Sequence, residues 1–213
     1  MALISAKKLR LELSTSRIEA LTDGVFAIAM TLLVLNIEVS EPRQDLDPSK
    51  FRQQVLGLWP HLIHYLESFI ILAAFWIKNH QQFHFIKRSD RRLLWINLGC
   101  LMFVCLIPFS TSLMTDYGEM RLAAMVFESN MLLAGALYYL HWSYATKGLR
   151  LVEKDLDPRV ITVYKQSSLV IPVIAVVAIL LSIIHPRWGT GVFFLIPFIL
   201  FLMEKLEYVG SPR

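Results

Sequence analysis

Three ionisable side chains, Arg17, Glu19 and Asp23, stand at the head of a run from Gly24 to Ile37 that carries no charge. In hydrocarbon such groups are costly; they snorkel to the interface or pair with another helix, and they mark functional or anchoring positions. Glu19 suits an interfacial place, whereas Asp23, six residues in, calls for a partner on another helix. At about 100° per residue, Ile28, Leu32 and Leu35 fall within about 60° of one another and rise about 10 Å. Thr31 and Gly24 flank that stripe. Asp23 points about 140° away from Ile28, which excludes it from the stripe and suggests anchoring, not ion coordination. Arg17 and Asp23 are about 120° apart, too far round one helix to pair well. Arg17 returns close to the stripe's direction, where a bare cation opposes cation flow, so it is expected to be neutralised or turned aside. By itself an aliphatic stripe indicates only packing.

Other residues able to do chemistry are scattered. His80 and His84 are spaced i, i+4, as a metal pair would be, with His61 and His64 upstream, but no cysteine or acid completes a ligand set. No metal and no cofactor is expected. Cys100 and Cys105, on one apolar segment, read as packing residues. Glu67 and Glu128 fall singly on different segments, so no acid pair, Ser/His couple or metal motif supports an intramembrane enzyme. The same acids together with Asp23 leave open a secondary transporter or proton/cation exchanger that uses them as a relay. Broken helices and repeat halves, the usual marks of such transporters, are not evident.

The elements that carry these residues are membrane spans. With 55% hydrophobic and only 18% charged residues, the chain departs from soluble globular composition. Its basic residues lie between apolar runs and form no nucleic-acid patch, so no nucleic acid is expected as partner. About 20 apolar residues cross a bilayer. Six stretches are expected to do so: about 17–37, 58–77, 93–115, 122–146, 166–186 and 188–206. The first is expected to stay in the mature chain and not to be a cleaved leader, because Ala27-Ile28-Ala29 lies at the front of the apolar run, not after it. Arg43, Lys50, Arg52, Arg121 and Arg187 fall on one side of this arrangement and the remaining sixteen of the 21 Lys and Arg on the other. That asymmetry places both termini in the cytoplasm. The whole of 1–213 reads as one transmembrane domain, with Pro172 and Pro197 inside spans five and six as kinks.

The first span and its neighbours resemble the lysosomal potassium channel family (transmembrane protein 175 type), in its bacterial single-repeat form. The family signature, Arg-x-x-x-Phe-Ser-Asp followed by Gly-x-Phe-Ala-Ile and Thr-Leu-Leu, is met by Arg17 to Asp23, by Gly24-Val25-Phe26-Ala27-Ile28 and by Thr31-Leu32-Leu33. A second block follows in order: Phe75-Trp76-Ile77 with His80, Leu94-Trp95-Ile96-Asn97 and Pro108-Phe109-Ser110. Leu21 replaces the signature Phe, and Thr22 replaces Ser but keeps its hydroxyl.

The resemblance implies an all-α fold of six transmembrane helices per protomer, assembled as a four-fold homotetramer with the first helix around a central pore. It implies a potassium-permeable, modestly selective cation channel of the cell membrane, and no enzyme. The constriction maps onto Ile28, with Leu32 and Leu35 further along, and Thr31 matches a selectivity-relevant hydroxyl. Arg17, Thr22 and Asp23 are implied to anchor helices together, with Trp76, His80 and Asn97 as neighbours. Glu38 and Glu41, beyond the outer end of the first helix, are candidate outer-mouth acids.

Overall fold

The structure is a computed structural model, and it describes residues 15–37 and 47–209. The first helix, α1 (Thr15–Leu35), is followed by a short α2 (Pro48–Gly57) that runs into the long α3 (Trp59–Phe85). Next come α4 (Arg91–Asp116) and α5 (Arg121–Thr146). The remainder is shorter: α6 (Pro158–Ser168), α7 (Val170–Ile184), α8 (Pro186–Gly191) and α9 (Ile196–Val209). At 1.5 Å per residue the 21 residues of α1 extend about 31 Å, enough to cross the hydrocarbon core.

Helix ends follow local chemistry. Asp90 caps α4, its carboxylate accepting from the Leu93 amide at 2.8 Å, and Asp157 caps α6 by accepting from the Arg159 amide. Proline sits in the first turn of α2, α3, α6 and α8, where its missing N–H breaks no helical bond. After α5 the chain reverses through Gly148 and Leu149, both in the left-handed region with φ of 65° and 53°. Glycine adopts this at no steric cost; Leu149 is the strained partner. The reversal lays Val152 beside Ile86 in an isolated antiparallel bridge.

Helices α1, α3, α4, α5 and α7 share one core, built on Phe26, Leu33, Ile71, Phe75, Val104 and Phe127. Phe75 and Tyr138 stack with ring centroids 5.1 Å apart. Gly135 lets α5 approach α7 so closely that a Cβ there would stand 2.6 Å from Cδ of Pro172. A second cluster, including Ile18, Phe83, Leu93 and Trp142, closes the end that carries most of the basic loops.

Five spans match expectation in number and order, with α3 running eight residues beyond position 77. Among the described residues five helices are long and apolar enough to cross a membrane, and a shorter apolar helix, Trp188–Met203, lies where the sixth stretch is expected. His185 is extended, Pro186 starts α8, a 3₁₀ turn covers Val192–Leu195, and only then does α9 begin. Pro172 and Pro197 fall where helical hydrogen bonding is interrupted: each lies in the first turn of its helix, α7 or α9. Helical dihedrals at Leu169 and Ile196 carry the chain through, so that α6 and α7 together form one candidate span, Pro158–Ile184.

Candidate functional site

Ile18, Thr22, Phe26, Ala29 and Leu33 recur along α1 at intervals of three to four and are all buried. They hold the helix against α3 and α4. The opposite face has no cover within the protomer: Ile28 is 61% exposed, Leu32 42% and Leu35 68%. Thr31 and Gly24 share that uncovered side. The Thr31 hydroxyl donates to the Ile28 carbonyl at 2.8 Å. Its proton is thereby turned into the helix, and its lone pairs remain available on the outer side.

The sealed face is pinned by polar bonds near the basic end. Asn97 Nδ2 donates to Thr22 Oγ1 at 3.2 Å, with both side chains fully buried. Trp76 Nε1 donates to Asp23 Oδ1 at 2.9 Å, and the Trp76 ring stacks on His80 with centroids 5.7 Å apart. The structure therefore brings Thr22, Asp23, Trp76, His80 and Asn97 together on three helices. Asp23 is nonetheless exposed within the protomer, so its partner lies on the flank of the α1 contact and not inside it. Arg17 is exposed too and, among the described residues, no side chain neutralises it within the protomer. Glu38 and Glu41 lie outside the described residues.

Several residues went unanticipated. At the far end of α1, Asn36 Nδ2 donates to the Pro108 carbonyl at 2.8 Å and so ties the helix to α4 at both ends. The Phe26 side chain, part of the matched motif, proves to be the aromatic wedge of the sealed face at 1% exposure.

Glu67 and Glu128 are not isolated as the sequence suggested. His64 Nδ1 lies 3.1 Å from Glu67 Oε2, and Ser182 donates to Glu128. An acid therefore does accompany the upstream histidines. The reason is periodicity: His64 and Glu67 are three apart on α3, and so share a face. His80 and His84 are engaged differently, against the rings of Trp76 and Phe85. Among the described residues no three His, Cys, Asp or Glu side chains converge as a metal site would need. Cys100 and Cys105 are free thiols, one buried and one exposed.

A bundle of long apolar helices, whose leading helix is bonded on one face and bare on the other, is the build of a multi-pass membrane protein. Residues 17–108 match the family described as the endosomal/lysosomal potassium channel TMEM175. A potassium channel of Chamaesiphon minutus is 32% identical over 185 residues, covering 85% of this chain and 91% of its own. A potassium channel of Streptomyces collinus is 34% identical, over 68% of this chain and 69% of its own. The crystal structure of a lysosomal potassium-selective channel TMEM175 homolog from Chamaesiphon minutus superposes with a TM-score of 0.76 at 30% identity, covering 88% of this chain and 96% of that one. The chain belongs to the TMEM175 family.

Proposed function

We propose that this protein is a potassium-permeable channel in which four copies turn the uncovered face of α1 toward a common axis. The observation that carries the reading is the exposure of Ile28, Leu32 and Leu35 on a helix whose other face is sealed and bonded. Lipid would also cover an aliphatic stripe. Thr31 on the same side, and Arg17 at its foot within about 20° of Ile28, are polar inclusions that a lipid-facing stripe does not need. Two relatives of high coverage are named potassium channels.

Stripping a cation of water in an apolar medium costs on the order of tens of kcal/mol in the Born limit. A ring of four Ile28 side chains cannot replace that hydration, so it acts as a gate: narrow, it dewets and blocks; wider, it passes a partly hydrated ion. Four Thr31 oxygens, with their protons turned back onto the Ile28 carbonyls, offer partial replacement ligands just beyond the ring. They favour potassium, the more easily dehydrated ion, over sodium. Selectivity is modest because the chain has no Thr-Val-Gly-Tyr-Gly segment to supply a carbonyl filter.

The chain serves as a single channel domain of the cell membrane, with both termini in the cytoplasm as the basic residues require. Its role is conduction, and no catalytic chemistry is assigned to it. An exchanger would need Asp23, Glu67 and Glu128 on one proton path. Asp23 is held by Trp76, nine residues along α3 from Glu67, an axial gap of about 13 Å. Passive, voltage-following potassium flux separates the two readings.

Ile28→Asn tests the gate. In liposomes potassium flux should rise, since a wettable ring no longer dewets. Unchanged conductance and selectivity would remove Ile28 from the constriction.

A further inference from the structure

Away from the face of α1, a cleft of about 410 Å³ opens between α3, α6 and α9. On α3 its lining runs from Phe69 to Gln81, twelve residues and so about 18 Å along the helix, slightly more than the roughly 15 Å of half a hydrocarbon core. The lining is segregated by depth. Phe69, Ile70 and Ala73 on α3, with Leu200 and Phe201 on α9, form an apolar trough. Lys78, Gln81, Tyr164 and Ser167 gather at the other end, the end from which the basic α3–α4 and α5–α6 loops emerge.

A long apolar trough that finishes in a lysine, an amide and two hydroxyls matches the outline of one phospholipid. An acyl chain fits along α3 and α9, and a negatively charged headgroup meets Lys78 and its hydrogen-bonding neighbours. The Lys78 charge favours anionic over zwitterionic lipid. We propose that this cleft is a binding site for a single anionic phospholipid on each protomer. The proposal concerns the outer flank of the bundle and holds whether or not α1 lines a pore.

The test is lipid retention. The assembled full-length protein is loaded with equal phosphatidylglycerol and phosphatidylcholine, washed in detergent, and the lipids that stay bound are counted by native mass spectrometry. Phosphatidylglycerol should be retained at one per protomer with a preference of about fivefold, the size one basic side chain gives near anionic lipid. Lys78→Gln should bring the preference close to parity while leaving a lipid bound, and Ala73→Trp, which fills the trough, should expel both lipids. Equal retention of the two lipids by the unaltered protein would overturn the proposal. So would no retained lipid, the result expected if a neighbouring subunit or α9 itself closes the cleft. Should Ala73→Trp not fold, the Lys78→Gln comparison decides alone, and an unchanged preference there refutes the site.

Discussion

Asn97 and Thr22 provide the sharpest test of how α1 is held. Both are fully buried, and they share one hydrogen bond of 3.2 Å between α4 and α1. Inside a membrane bundle such a bond contributes about 0.6 kcal/mol on average and up to about 1.7, because the unfolded chain also finds partners in the bilayer. The Asn97 carbonyl oxygen has no partner, so Asn97→Leu removes a buried unsatisfied acceptor along with the donor. Its net cost should therefore fall below that of the bond alone. Thr22→Val gives the complementary loss with little change of shape. In a double-mutant cycle, read from unfolding in mixed micelles by tryptophan fluorescence, the pair should cost less than the sum of the singles by about 0.6–1.7 kcal/mol. That corresponds to a factor of about 3 to 20 in the unfolding constant. Additive effects would refute the claim that this bond pins α1, and would leave docking to the Phe26 and Leu33 packing alone.

Three further outcomes follow from the same geometry. Gly135→Ala places a Cβ 2.6 Å from Cδ of Pro172, so α5 and α7 must separate, lowering stability by about 1–3 kcal/mol in the same unfolding assay. Asp23→Asn keeps a carbonyl to accept from Trp76 and should retain near-native stability, whereas Trp76→Phe removes the donor and should lose about 0.6 kcal/mol. Asp90 titrates outside the spans. Partial burial pushes its carboxyl upward, but hydrogen bonds from the Leu93 amide and Tyr144 together with the Arg150 charge outweigh that and hold it below its ordinary value of 3.8. A group depressed by folding stabilises fully above its unfolded value and loses that contribution as pH falls through the folded one. The apparent Tm should therefore drop below about pH 4, and Asp90→Asn, which still caps α4, should flatten that acid limb.

Much of the architecture was legible because bilayer thickness imposes one length on every span. The runs that became α1, α4 and α5 were placed within two residues or so at most ends. The internal build of the last apolar stretch was the least legible part, and proline and glycine are the reason. Pro186, Gly189, Gly191 and Pro197 divide the last apolar stretch, a pattern that hydropathy alone averages away. The divided stretch stays packed because Gly189 can lie directly against Ser182 and the buried Glu128.

Angular arithmetic on α1 puts Ile28, Leu32 and Leu35 on one stripe. All three are exposed while Ile18, Thr22, Phe26, Ala29 and Leu33 are buried; Asp23, off that stripe, is exposed as well. The bonds that fix α1 were less legible. That Trp76 reaches Asp23 and that Asn36 reaches the Pro108 carbonyl depends on helix pairings more than 50 residues apart in sequence. Glu67 looks solitary in sequence because no second acid lies near it, and its partner His64 shares its face only once α3 forms.

The central claim is that water, not lipid or protein, faces the bare side of α1. With Cys105→Ser removing the exposed native thiol and Cys100 buried, Ile28→Cys, Leu32→Cys and Leu35→Cys can be probed one at a time with a membrane-impermeant thiol reagent. Potassium flux through each should be blocked by the reagent and restored by reducing agent, while Phe26→Cys, on the sealed face, stays unmodified. Flux indifferent to the reagent at all three positions, with modification only by a lipid-soluble thiol reagent, would contradict the account.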